Sequence, residues 1–321
     1  LAAIDSLENK SGMPQRYARL RHTNPIFLKS LSYLLSGGLL VSGLVRLPNV
    51  QANPVLMAQA NGQAAEEKVN QGLQFIQQGR LNDAIESFKT AARLNPNMAA
   101  AHYNLGLALR QQGQLQASAT AFHQATQADP NFALAYANLG AALLEGNNLN
   151  QARDYLQRSL ELEPKLGLAH YNLGLVLELQ GDLQGAIRAF REAAQLTPSA
   201  PEPPYHLGLV YQKQQKSKDA IAAFQQAVQR NPNYAEAHYS LGSVLFNQGD
   251  LGGALSAFRK SSQVNPNYAN AYYGAGLVLV RQKKLTDAQQ VLKYAKNLFT
   301  AQKNLPWAEK ADQQLKKLGT P

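Results

Sequence analysis

The sequence predicts an all-α fold, a solenoid of seven helix–turn–helix units followed by a C-terminal capping helix. Three observations predict it. Glycine recurs every 34 residues, at Gly72, Gly106, Gly140, Gly174, Gly208, Gly242 and Gly276. Proline recurs with the same period, at Pro96, Pro130, Pro164, Pro198, Pro232 and Pro266. Between them the apolar residues are spaced by three and four, the period of a helix, and the alternation of a strand is absent. A period of this length marks one small unit copied in tandem, and such arrays bind other molecules more often than they catalyse.

Residues 1–60 lie before the repeats and read as a leader. Arg16, Arg19, Arg21 and Lys29 form a basic stretch, and Leu31 to Val45 is mostly apolar. That run is shorter than the ~20 residues of a comfortable membrane span. Small-x-small sites follow at Val50-Gln51-Ala52 and Ala58-Gln59-Ala60. Basic, then apolar, then A-x-A is the layout of a secretory signal, with Met13 as a candidate start. The expected location is therefore outside the cytoplasm, in a periplasm or equivalent lumen. An uncleaved anchor is the alternative, with the array on the far side of the membrane.

The array spans residues 61–302, with units starting at Ala65, Ala99, Ala133, Gly167, Pro201, Ala235 and Ala269, so that the periodic glycine is position 8. Position 11 is always large and apolar (Phe75, Leu109, Leu143, Leu177, Tyr211, Leu245, Leu279). Positions 20 and 27 are always Ala or Ser, and position 24 is always Phe or Leu. A polar break such as Gln111-Gln112-Gly113-Gln114 separates two helices, A and B, in each unit. Proline at position 32 ends helix B. Small residues at 8, 20 and 27 let the two backbones approach, and the side chain at 24 fills the space between them. Residues 303–321 form the cap: Asn304-Leu305-Pro306 is a helix start, and Gly319 a stop. Trp307, Ala308, Ala311, Leu315 and Leu318 make its apolar side, and Lys303, Lys310, Lys316, Lys317 and Asp312 lie mainly on the other.

This pattern, L-G-x-x-Y, then A, then F, then P, resembles the tetratricopeptide repeat (TPR) over residues 65 to about 300. The resemblance implies a right-handed superhelix whose concave groove, lined by the A helices, holds extended peptides or partner helices. Three departures are local. Pro204 stands at position 4 of the fifth unit, and Ala275 replaces the usual Leu in the seventh. Thr300 replaces a seventh proline, so the last B helix is expected to run long.

A helix turns 100° per residue, which puts positions 4, 7, 8 and 11 on the core side and 2, 5, 6, 9, 12 and 13 opposite. Two ladders occupy the opposite side. Position 6 carries Asn70, Asn104, Asn138 and Asn172, then His206, Ser240 and Gly274. Position 5 carries Tyr103, Tyr171, Tyr205, Tyr239 and Tyr273, interrupted by Ala137. An amide offers donors and an acceptor, so a row of them can pair with a ligand backbone whatever its side chains. Tyrosine adds broad contact with a polar tip. The same residues can instead brace neighbouring units, and both readings stand at the level of sequence. Similar asparagine ladders hold peptide in the repeat arm of O-linked N-acetylglucosamine transferases. The chaperone-binding form of the family uses a clamp of Lys, Arg and Asn. Here position 5 is Val69, Ala137 or Tyr and position 9 mainly Leu, so capture of an acidic C-terminus is not supported.

The net charge of +10 invites a nucleic-acid reading, but it is segregated. Residues 61–280 carry sixteen Lys/Arg and sixteen Asp/Glu, residues 1–60 six against two, and residues 281–321 nine against three. A nucleic-acid groove needs cations along its length, so no nucleic-acid partner is expected. There is no cysteine, which removes disulfides and thiolate chemistry. His102, His170 and His238 recur at position 4 on the core side and read as packing residues rather than metal ligands. No catalytic motif is present, so neither enzyme activity, a cofactor nor a metal is expected. The expected function is a non-enzymatic scaffold binding a peptide or protein in the groove, in assembly of envelope or membrane complexes. The alternative is a membrane-surface tether using an uncleaved leader and the basic C-terminal helix.

Overall fold

The computed structural model describes residues 54–319. Among them are fifteen helices and no strand. They form two compact units, divided between residues 182 and 183. The leader expected over residues 1–60 lies outside the described residues up to residue 53; residues 54–60 already belong to the first helix.

The first unit contains α1 (Pro54–Gln77), α2 (Leu81–Leu94), α3 (Ala99–Gln111), α4 (Leu115–Ala128), α5 (Ala133–Glu145), α6 (Leu149–Leu162) and α7 (Gly167–Leu179). The second contains α8 (Leu183–Leu196), α9 (Glu202–Lys213), α10 (Ser217–Arg230), α11 (Ala235–Gln248), α12 (Leu251–Val264), α13 (Ala269–Arg281), α14 (Leu285–Ala301) and α15 (Leu305–Lys317). Odd-numbered helices through α13 are the A helices and even-numbered ones the B helices. The unit boundary passes through the fourth repeat. No described helix is long and apolar enough to cross a membrane.

The glycine lattice has a steric cause. A Cβ added at Gly72 would lie 2.5 Å from the Phe88 ring, and one at Gly106 2.7 Å from Phe122. Gly140 with Leu156, Gly208 with Phe224, Gly242 with Phe258 and Gly276 with Leu292 repeat the relation at 2.6–2.9 Å. The side chain at position 24 thus seats on the bare backbone of helix A, and all six of these are fully buried. Close packing of this kind leaves no room for one more carbon.

The two turns of the repeat have separate devices. Between A and B, position 15 takes a left-handed backbone, at Gly79, Gly113, Gly181 and Gly249 but also at Asn147, Gln215 and Lys283, with φ near +60° at the last three. Between B and the next A, an Asn or Asp before the proline bends the chain onto itself: Asn95, Asp129, Asn231 and Asn265 each accept, through Oδ1, the N–H two residues on, at 2.9–3.2 Å. His102, His170 and His238 then donate Nε2–H to the carbonyls of Pro96, Pro164 and Pro232 at 2.8–3.0 Å. Each histidine ties the start of its A helix to the preceding turn.

Pro204 is accommodated because α9 begins at Glu202, which leaves Pro203 and Pro204 in the first turn, where N–H groups have no intrahelical partner. With no proline at residue 300, α14 runs 17 residues where α12 has 14. The cap α15 buries Ala308, Ala311 and Leu315, and Trp307 meets Tyr273 and Phe299 at ring distances of 5.6 and 5.9 Å.

Candidate peptide-binding face

In the first unit the position-6 asparagines are set by their own helices. Asn104 Nδ2 donates to the Ala100 carbonyl at 2.8 Å, and Asn138 Nδ2 to that of Leu134 at 2.9 Å. Asn138 Nδ2 also reaches the Tyr103 hydroxyl at 3.3 Å, which links the second repeat to the third. A carbonyl can only accept, so it is Nδ2 that each amide turns to its own helix. Among the described residues no hydrogen bond is made to either Oδ1. Asn104, Asn138 and Asn172 are 4%, 2% and 5% exposed, while Asn70 is open to solvent. Asn172 is set differently from the other two, since its buried Nδ2 has no hydrogen-bond partner among the described residues.

The position-5 tyrosines are packing residues along part of their length. Tyr103 is buried, with its ring 4.8 Å from Phe132 and 5.7 Å from Phe122. Tyr171 is likewise buried. In the second unit Tyr205 lies against Phe224 and Tyr234, Tyr239 against Phe258 and Tyr268, and both are only half-buried. Tyr273 is buried under Trp307. His206 stacks on Phe190 at 5.5 Å and is half-buried. At position 6 of the seventh repeat a Cβ would fall 2.7 Å from the Phe258 ring, so Gly274 is there for packing.

Each unit also holds groups that the ladders did not point to. Arg110 pairs with Glu145 across the second and third repeats, both side chains less than one-fifth exposed. Glu202, at position 2 of the fifth repeat, is 7% exposed, and its Oε2 has no hydrogen-bond partner among the described residues. Burial pushes its carboxyl above the ordinary range, partly opposed by a hydrogen bond from its own backbone N–H and by His206. Serines read from sequence only as small prove to be connectors: Ser118 Oγ donates to the Gly106 carbonyl, and Ser159 and Ser261 to those of Ala133 and Ala235, at 2.7–2.8 Å. Among the described residues no group of three or more His, Asp or Glu side chains is placed to hold a metal ion.

A family profile described as tetratricopeptide repeat matches residues 69–131, 108–166, 137–201 and 205–263. The chain belongs to the tetratricopeptide repeat family. Members of this family generally mediate protein–protein interactions and are generally non-enzymatic. Among solved structures the chain is similar to YrrB, described as a TPR protein with an unusual peptide-binding site. The identity is 29%, over 61% of this chain and 99% of that one, with a TM-score of 0.52. A tetratricopeptide repeat protein from Parabacteroides merdae shares the fold at 20% identity, covering 81% of this chain and all of its own, with a TM-score of 0.55. PilF from Pseudomonas aeruginosa does so at 19% identity, over 66% and 96%, with a TM-score of 0.58. No curated protein matches the sequence.

Proposed function

We propose that this TPR protein is a non-enzymatic scaffold that holds an extended segment of a partner protein along its A-helix face, in the assembly of an envelope or membrane complex. The observation that carries the reading is the orientation of Asn104 and Asn138. Their donors are committed to their own helices. Their Oδ1 acceptors repeat at the spacing of the array and can take N–H groups from a peptide backbone. In the second unit, considered by itself, the half-buried Tyr205, Tyr239 and His206 offer rings that give contact area at low entropic cost. The likeness to YrrB supports the same reading. We place the protein outside the cytoplasm because of its basic–apolar–small leader pattern.

Replacing Asn104, Asn138 and Asn172 together by Ala tests the site. The partner is first captured by photo-crosslinking from position 104, with position 127 on α4 as control. Affinity for the captured segment is expected to fall at least tenfold, about 1.4 kcal/mol, with helicity retained. Melting is expected to drop by only a few degrees, since each lost bond to a backbone carbonyl is worth about 1 kcal/mol. Unchanged affinity with a lowered melting point would assign the ladder to bracing alone. N-terminal sequencing of the mature chain tests the location: a chain still carrying residues 13–50 would count against export with cleavage.

A further inference from the structure

We propose that the tip of the second unit formed by Lys283, Lys284, Leu285 and Lys317 is a docking site for an anionic lipid surface. Leu285 is the position-17 leucine of its repeat. The same leucine is half-buried at Leu81, Leu115, Leu149, Leu183 and Leu251, whereas Leu285 is 46% exposed. The cap does not cover it. Gln289 Nε2, one turn along α14, donates to the Leu318 carbonyl at 3.0 Å, and this brings the C-terminal end of α15 to the same tip.

Of the lysines near this tip only Lys316 is ion-paired among the described residues, and one exposed carboxylate, Asp287 in the first turn of α14, stands beside them. Lys316 is engaged by Asp312, which also takes Lys296. Lys283, Lys284 and Lys317 are exposed, and among the described residues no carboxylate forms an ion pair with them. The first two are set by the turn itself, Lys283 in a left-handed backbone and Lys284 as the N-cap of α14. This is also where the chain concentrates its charge, nine cations against three anions after residue 280. Three of the four large exposed apolar side chains among the described residues, Leu285, Tyr294 and Leu305, lie on α14 and α15.

Lysines flanking an exposed leucine match the two layers of an anionic bilayer: ammonium groups meet lipid phosphates, and the leucine enters the acyl boundary. A nucleic-acid duplex offers the phosphates but nothing for the leucine. A second copy of the chain offers an apolar face, but this tip would repel its own charge.

The chain has no cysteine, so a single one can be labelled with a polarity-sensitive dye. The full-length chain carries the label at Leu285→Cys or, as control, at Leu305→Cys beyond the far end of α14. With phosphatidylglycerol-containing vesicles the dye at 285 is expected to shift to the blue. Phosphatidylcholine alone, high salt, or the added changes K283E, K284E and K317E should abolish the shift. Each lysine contributes roughly fivefold, so the triple change should weaken binding roughly a hundredfold. The local readout separates docking at this tip from adsorption through residues 1–60. Four results would overturn the proposal: no shift with anionic vesicles, an equal shift at 305, a shift that grows with protein concentration without vesicles, or a shift produced by duplex DNA and not by lipid. Circular dichroism of the triple variant confirms that it is folded.

Discussion

At the scale of single residues, the repeat tolerates exceptions whose energetic consequences can be measured. Gln215 occupies a left-handed turn position that glycine takes in four other repeats. A side chain there costs about 1–2 kcal/mol, which glycine's loss of chain entropy offsets only in part. Gln215→Gly is therefore expected to stabilise the protein by about 0.5–1 kcal/mol, read from the denaturant midpoint. Glu202 is a second exception. Burial holds its carboxyl above the ordinary value of 4.5, so its contribution to stability is fully present below that pH. It is lost as pH rises through the folded value. Glu202→Gln should therefore raise the melting temperature at pH 7.5, by an amount equivalent to roughly 1 kcal/mol, and leave it nearly unchanged at pH 4. Equal gains at both pH values would mean that the effect is packing rather than charge.

At the scale of elements, successive helix pairs are joined by polar fastenings laid over the apolar core. Arg230, at the end of α10, donates to the carbonyls of Ala194, Thr197 and Ala200 at 2.8–3.3 Å, which closes the C-terminal end of α8 and the turn beyond it. Carbonyls at a helix end have no intrahelical donor, and a guanidinium can serve several at once. Arg230→Ala is expected to cost about 1.5–3 kcal/mol in a urea titration. Arg230→Lys should recover only a part of it, since an ammonium cannot span the three acceptors; full recovery by Lys would reduce the effect to charge. The helices themselves were legible in sequence because glycine, proline and apolar spacing report local packing. Arg230, Ser159 and Ser261 were not, because their partners lie 26 to 36 residues away and nothing in the local pattern names an acceptor.

At the scale of the molecule, a repeat array is stabilised mainly by nearest-neighbour interfaces, so damage at one end stays there. Trp307 joins the cap to Tyr273 and Phe299. Trp307→Ala should cost about 2–4 kcal/mol locally. In hydrogen-exchange mass spectrometry, protection is expected to fall in α13–α15 while α9 and α10 hold theirs. An even loss across α8–α15 would show that the second unit opens as one cooperative body instead. The charge of the chain follows the same division: the array is balanced, and the cationic excess lies in the terminal segments.

The sequence alone determined the number of repeats, their helical character, the break and stop of each unit, and the family, because each of these follows from side-chain size and backbone freedom at positions close in the chain. It also showed that Asn and Tyr recur at neighbouring positions of helix A. Only the tertiary structure decided how those residues are held. Asn104 and Asn138 turn their donors into their own helices, Tyr103 spends its hydroxyl on the next repeat, and Leu285 is left uncovered. Periodicity gives the angle at which a side chain leaves its helix. Which of its atoms meets a partner depends on the neighbouring helix and on where the cap turns back.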